Sequence, residues 1–417
     1  MSQMVINGGK KLKGRVKISG AKNSVLPLLA ATVLCDGEVT LRNCPDISDV
    51  DTALLILNLL GIETKFTDNT AFINAKTPLN TTLSETVMRK MRSSIVFTGS
   101  ILARRSKAIV AYPGGCELGP RPIDIHIEAL KKLGAIVTED NGKLIFTAPN
   151  GLFGTEIDLK ISSVGATENI ILAATLSKGT TVINNAAREP EIDDLINFLT
   201  IAGAKINGKG TSTITVTGVE KLSAIDYFIM PDRIEAATYI SAVATAGGEI
   251  TLENVTPKHI ESIIEVYKNA GCEITAKGST LTVKQNNGLV ALPYVKSMPY
   301  PAFPTDAGPL LVASLINAKG TSVYVEGVFE NRFRFVSELK RMGADIMIEG
   351  RAAVINGKTL SPANCRCYDL RGGAAVVVAA LGIKGKSVIS DIEYINRGYE
   401  KITEKLNALG ADVYIKE

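Results

Sequence analysis

The chain has 417 residues, 46% of them hydrophobic and 21% charged, with 46 Lys and Arg against 42 Asp and Glu. That length favours two domains or more, and the composition excludes a disordered chain. A net charge of +4, without basic runs or Arg–aromatic interleaving, excludes nucleic acid as a partner, and no apolar run approaches the roughly 20 residues that cross a bilayer. The first residues, Met1 to Gly9, lack a charged segment leading into an apolar one, so no secretory leader is expected and the cytoplasm is the expected address. Six cysteines without a CxxC pair, and only two histidines, make a zinc site or a disulfide framework improbable. Most of these cysteines are expected to be small buried hydrophobes.

In chain order, Gly20-Ala21-Lys22-Asn23-Ser24 opens a helix running through Leu26-Pro27-Leu28-Leu29-Ala30-Ala31. Apolar nearly all round, it predicts a buried helix. A second helix ends at Leu60-Gly61-Ile62-Glu63 and passes into a strand. The same ending returns at Gly134, Gly203, Gly271, Gly343 and Gly410, about 70 residues apart each time. Glycine suits these stops because it enters the left-handed region without penalty. Inner helices like the first recur at Ile170–Ala174, Ala236–Ile240, Leu310–Ala313 and Ala374–Ala380, with β-branched runs such as Gly179-Thr180-Thr181-Val182-Ile183 following. The pattern predicts six α/β units with helices inside, in two sets of three, with a seam near Tyr227 to Asp232 and a ligand cleft between the sets. Gly385-Lys386-Ser387 imitates a phosphate loop, but lacks its upstream glycine and occupies the turn that Lys178-Gly179-Thr180 occupies elsewhere; it is read as a turn.

The segment Tyr112-Pro-Gly-Gly-Cys-Glu-Leu-Gly-Pro-Arg121 breaks the repeat. A loop of this kind is where lids and functional side chains lie, and Arg121 near Cys116 favours the thiolate. Lys22, Arg92 and Arg371 each stand just ahead of an inner helix, where backbone donors and the helix dipole attract anions. Arg397 occupies a separate loop. Together they predict a substrate carrying phosphate or carboxylate. Asp306, in Phe303-Pro304-Thr305-Asp306, is read equally as a base or as a helix N-cap. Glu189 and Asp232 are weaker base candidates, and His126 and His259 are read as structural or surface residues.

Gly20-Ala21-Lys22-Asn23-Ser24, Pro113-Gly114-Gly115-Cys116, Gly119-Pro120-Arg121-Pro122, Ser163-Val164-Gly165-Ala166-Thr167, Phe303-Pro304-Thr305-Asp306 and Phe329-Glu330-Asn331-Arg332-Phe333 span both halves. In these motifs the chain resembles the enolpyruvyl transferase family, in its UDP-N-acetylglucosamine-using branch. The resemblance implies an inside-out α/β barrel fold of two domains, 21–229 and 1–20 with 230–417, each of three βαβαββ-type units with buried helices. It implies transfer of the enolpyruvyl group of phosphoenolpyruvate to the sugar nucleotide, the first committed step of peptidoglycan synthesis, without metal or organic cofactor and without membrane insertion. Catalytic roles then fall to Cys116 as proton donor, Asp306 as proton acceptor, and Lys22 and Arg397. Lys22, Arg121 and Arg397 would hold phosphoenolpyruvate. Asn23, Arg92, the loop Arg121, Pro122, Ile123, Asp124, Ile125, then Ser163, Val164, Gly165, Asp306 and the backbone at Val328 would meet the sugar nucleotide, with Arg371 facing the same cleft. Cys116 is also the expected target of the epoxide antibiotic fosfomycin. The family often has a lysine two positions before Ser-Val-Gly; here that position is Ile161, with Lys160 one residue earlier. Two other readings are a silent sugar-nucleotide-binding paralogue and the transferase that acts on shikimate 3-phosphate.

Overall fold

A computed structural model describes residues 2–76, 80–114 and 123–416. They separate into two compact units, one of 2–19 with 231–416, the other of the described residues of 20–230. Each unit has its own apolar core.

Six four-stranded sheets are present among the described residues, three in each unit. In one of them Glu156–Asp158 runs parallel to Thr180–Asn184, Thr213–Thr217 pairs antiparallel with the latter, and Lys205–Asn207 forms the far edge. Ile157, Ile183 and Ile214 fall opposite one another in register. With the helices Val164–Thr175 and Pro190–Ile201 between its strands, this is a βαβαββ unit. The other five sheets share its one parallel and two antiparallel pairings. At the chain crossings, Leu12–Lys17 pairs with Gly248–Glu253 and Asp226–Phe228 with Glu38–Arg42. Each strand therefore stays in the unit the chain is leaving, while the next helix belongs to the other. Gln3–Gly8 inserts between Gly385–Ser390 and Val413–Lys416, so the first strand completes the last repeat.

The division of labour follows from side-chain type. Every residue from Ala166 to Thr175 and from Leu370 to Leu381 is buried, and these helices are built mostly from Ala, Gly, Val, Ile and Leu. Buried hydroxyls of the inner helices can bond back within their own helix: Thr175 donates to the Ile171 carbonyl at 2.8 Å, and Ser241, in Arg233–Ala246, to Ala237 at 2.7 Å. Outer helices bury a narrow stripe; Glu261–Asn269 buries Ile263 and Tyr267, one turn apart. Strands such as Thr180–Asn184 alternate buried and exposed positions, which leaves one face of the sheet open to solvent.

The six stop glycines all have positive φ, from 86° at Gly61 and Gly410 to 112° at Gly203. At Gly203, Gly343 and Gly410 an added Cβ would meet nothing within 4 Å, so the backbone angle selects glycine there, not crowding. Gly385, at φ 125°, begins the strand Gly385–Ser390, so Lys386 and Ser387 lie in a strand and not in the turn expected there. Cys35, Cys44, Cys272, Cys365 and Cys367 are unbridged and buried, and burial pushes the thiols of Cys35 and Cys272 up to about 12 and about 11. No helix of the described residues is long and apolar enough to cross a membrane.

Candidate active site

In the unit of 20–230, Lys22 is the first residue of the buried helix Lys22–Thr32, whose N-cap, Ala21, offers no side-chain acceptor. Its Nζ lies 2.8 Å from the carboxylate of Asp49, in the first turn of Ser48–Leu59; the two side chains are 12% and 4% exposed. A long flexible cation is thereby held in one place. Asn23 is half-buried beside it. Ser24 bonds to the buried Asp194, which also accepts from the Tyr227 hydroxyl at 2.7 Å. Burial raises the Asp194 carboxyl despite those bonds. Arg92 heads the 3-10 turn Arg92–Val96, which leads straight into Phe97–Arg105 and again has no side-chain cap.

A third helix start in this unit, that of Val164–Thr175, carries Ser163 as N-cap, accepting from the Ala166 amide at 3.4 Å. Val164 and Gly165 are half-buried at its opening. Against it packs Asp124–Lys132, with Ile123 buried, Asp124 exposed and Ile125 half-buried. Ile161 is 62% exposed and Lys160 is exposed as well. Cys116, Arg121 and Pro122 lie outside the described residues.

The other unit centres on Asp306, which sits in the 3-10 turn Thr305–Ala307 ahead of Gly308–Leu315. Of its two local readings the N-cap is not realised: Pro304 holds that position, and the carboxylate goes to two arginines. Arg332 Nη2 donates to Oδ1 at 2.9 Å and Arg371 Nε to Oδ2 at 3.2 Å; both guanidiniums are buried, while Asp306 is 26% exposed. Burial alone would raise this carboxyl, but Arg371, Arg332 and Arg233 outweigh it and hold it well below the usual carboxylate range. Asp306 is thus an ionised but weak base. Arg371 has two further buried Nη groups for which no hydrogen-bond acceptor is found among the described residues, and Tyr399 faces its guanidinium by its ring, 5.3 Å from the centroid. Buried donors without an acceptor are costly, and an anion is the partner they suit.

Arg397 follows the short helix Glu393–Asn396 and is half-buried. Val328 is 39% exposed, and its amide is already committed to Glu326 Oε1 at 2.8 Å. Asp232, a weaker base candidate, is the N-cap of Arg233–Ala246 and accepts from Ile234 and Glu235 at 2.7 and 2.9 Å. Glu189 precedes Pro190–Ile201 and accepts from the Arg188 amide at 3.0 Å. His259 lies in the 3-10 turn Pro257–Ile260.

Two residues that geometry ties to the predicted ones had no signal of their own. Asp49 stands 27 positions from Lys22, on a different helix, and only the tertiary ion pair marks it. Arg332 stood inside a quoted motif, but its contact with Asp306 joins loops that follow different strands. Chemically, the first unit presents cations at uncapped helix starts and the second an ionised carboxylate among guanidiniums.

Comparison with known proteins narrows this chemistry. Residues 6–406 match the family profile described as EPSP synthase (3-phosphoshikimate 1-carboxyvinyltransferase). A relative from Caldanaerobacter subterraneus subsp. tengcongensis, UDP-N-acetylglucosamine 1-carboxyvinyltransferase 2, is 45% identical over 414 residues, covering 99% of both chains. UDP-N-acetylglucosamine 1-carboxyvinyltransferase of Endomicrobium trichonymphae is 45% identical over 416 residues, covering 100% of this chain and 99% of its own. Among solved structures, the enolpyruvyl transferase NikO from Streptomyces tendae superposes with a TM-score of 0.90 at 23% identity, covering 100% of this chain and 99% of that one. EPSP synthase from Acinetobacter baumannii gives 0.77 at 19%, with 100% of each chain covered. These two structures show the shared fold.

Proposed function

The chain belongs to the enolpyruvyl transferase family, and from that premise we propose that it transfers the enolpyruvyl group of phosphoenolpyruvate to the 3-hydroxyl of UDP-N-acetylglucosamine, releasing phosphate. One observation carries the choice of acceptor. The relatives whose names state that activity match at 45% identity across 99% of the chain, and no large segment is left to specify another. The step opens peptidoglycan synthesis, and its substrates place it in the cytoplasm.

The residues fit the chemistry as follows. Cys116 protonates the methylene carbon of phosphoenolpyruvate, which makes the adjacent carbon electrophilic. The sugar hydroxyl adds there; the methyl carbon then gives a proton back to the Cys116 thiolate as phosphate leaves, which restores the double bond. Asp306 takes the hydroxyl proton. Its weak basicity is no obstacle, because that proton becomes strongly acidic only as the new C–O bond forms. Engagement of Arg371 by a substrate anion would also loosen the hold on Asp306 and raise its basicity. Lys22, fixed by Asp49, Arg121 and Arg397 supply the charge that a nearly trianionic substrate needs. The units of 2–19 with 231–416 and of 20–230 are read as the two catalytic domains.

Phosphate release from phosphoenolpyruvate is the test. Release with UDP-N-acetylglucosamine and none with shikimate 3-phosphate is expected. The reverse result transfers the chain to the activity in the family profile's description, and release with neither leaves a silent binding paralogue. Cys116→Ser should lower turnover by about a hundred- to ten-thousandfold, the usual worth of a general acid.

A further inference from the structure

Resting on that reading of the substrate, we propose that His126 is a further binding residue: its Nε2–H donates a hydrogen bond to a phosphate oxygen of the sugar nucleotide at the start of helix Val164–Thr175. The argument begins with Asn169, buried in that helix. Its Oδ1 accepts from the Gly99 amide at 2.7 Å, so its Nδ2 is the atom facing the Ile95 carbonyl at 3.2 Å. The same Nδ2 lies 3.1 Å from His126 Nδ1. An amide nitrogen is only a donor, so Nδ1 must accept, and the neutral ring carries its proton on Nε2. The backbone of one helix thus fixes the tautomer of a histidine on another.

That proton has no hydrogen-bond partner among the described residues. His126 is only 8% exposed, yet Nε2 makes no hydrogen bond with the described residues. It lies beside the opening of the 12-residue helix, where a Cβ built on Gly165 would come within 3.6 Å of it and 3.4 Å of Cε1. The helix start supplies amides and the positive end of the dipole, and the mostly buried imidazole adds a donor beside it. Burial and the nearby charge of Arg92 hold the ring neutral, its pKa lowered to about 4 against a small opposing effect of Asp124. A neutral donor suits the position. It adds a hydrogen bond to the phosphate without a second cation next to Arg92.

The test is calorimetric titration of the full chain with UDP-N-acetylglucosamine and with UDP, for the wild type, His126→Phe and His126→Gln. Loss of a hydrogen bond to a charged group should weaken both ligands about ten- to a hundredfold in His126→Phe, and His126→Gln, which keeps an N–H at similar reach, should recover much of it. KM for phosphoenolpyruvate at saturating sugar nucleotide should stay where it is. A folded His126→Phe that binds both ligands like the wild type overturns the proposal. Should that variant fail to fold, 15N NMR of the wild-type histidines decides: Nε2 protonated and Nδ1 bare, with the Nε2 signal moving on addition of UDP. An unmoved signal overturns it equally. A wild type that binds no UDP-N-acetylglucosamine removes the functional reading and this one together, whereas a failure confined to the His126 comparison removes this one alone.

Discussion

The two units treat the same structural feature in opposite ways. In the unit of 20–230 the inner helices at Lys22, Arg92 and Val164 start without an acidic residue in the first turn, and the one side-chain cap is the neutral Ser163. In the other unit Asp232 and Asp369 each accept two backbone amides, and Asp306 stands in the turn ahead of the third helix. Beside these carboxylates lie the buried arginines Arg233, Arg332 and Arg371. A helix start concentrates positive potential that something must answer. One unit answers it internally with carboxylates, which in turn hold guanidiniums in the core. The other caps none of these starts with a carboxylate, which suits the binding of a polyphosphate ligand.

The severest way to break this comparison is Asp306→Asn. It removes the proposed proton acceptor and strands two buried guanidiniums, so kcat should fall by about a hundred- to ten-thousandfold. Stability should drop as well, by about 3 kcal/mol, as when one partner of a buried ion pair is deleted. Steady-state kinetics and a thermal melt check both. If turnover survives while stability falls, Asp306 belongs to the internal charge network alone, and the proton goes elsewhere.

The second test uses pH. His126 has its folded pKa lowered to about 4 from 6.5, so the unfolded chain binds a proton there that the folded chain refuses. Its contribution is fully present above about pH 6.5 and is lost as pH falls toward 4, at most about 3 kcal/mol. Glu168 and Asp194, whose buried carboxyls are raised, act with the opposite sign, favouring the fold as pH falls. Melts of the wild type and His126→Gln at pH 7 and pH 5 isolate the histidine: the variant should lose less stability between them. Asp306 adds nothing in this window, because its carboxyl is held far below it. Equal losses in the two proteins would mean that His126 is not kept neutral.

What the sequence made legible, and what it hid, has a physical basis. The repeat was legible because left-handed stops demand glycine and buried helices demand small apolar residues, and both leave local marks at Gly203, Gly343 and Ala374–Ala380. Lys22, Arg92 and Ser163 were legible because a position at a helix start is a local property. Asp49 and Arg332 were not, since an ion pair between distant elements has no sequence period. The role proposed for His126 was not legible, because it depends on the tautomer, and Asn169, 43 positions away, sets that. Asp306 was half legible: its loop was plain, but two arginines decide that its carboxylate does not cap a helix.

The mildest test compares two caps. Asp369 accepts from Arg371 and Gly372 at 3.0 and 2.9 Å, and its charge also faces Arg332. Ser163 makes one bond at 3.4 Å, near the limit at which such a bond counts. Asp369→Ala should therefore cost about 1–2 kcal/mol in the free protein, and Ser163→Ala only a few tenths. With UDP-N-acetylglucosamine present the ranking should change, since a helix start held open for a ligand matters most when the ligand is there. Ser163→Ala should then show a clearly smaller rise in Tm on ligand addition than the wild type does, although its free-state melt is nearly unaltered. Should Ser163→Ala cost as much as Asp369→Ala without ligand, and respond to ligand normally, the two units would differ in composition but not in kind. The open helix starts would then be ordinary ends served by water.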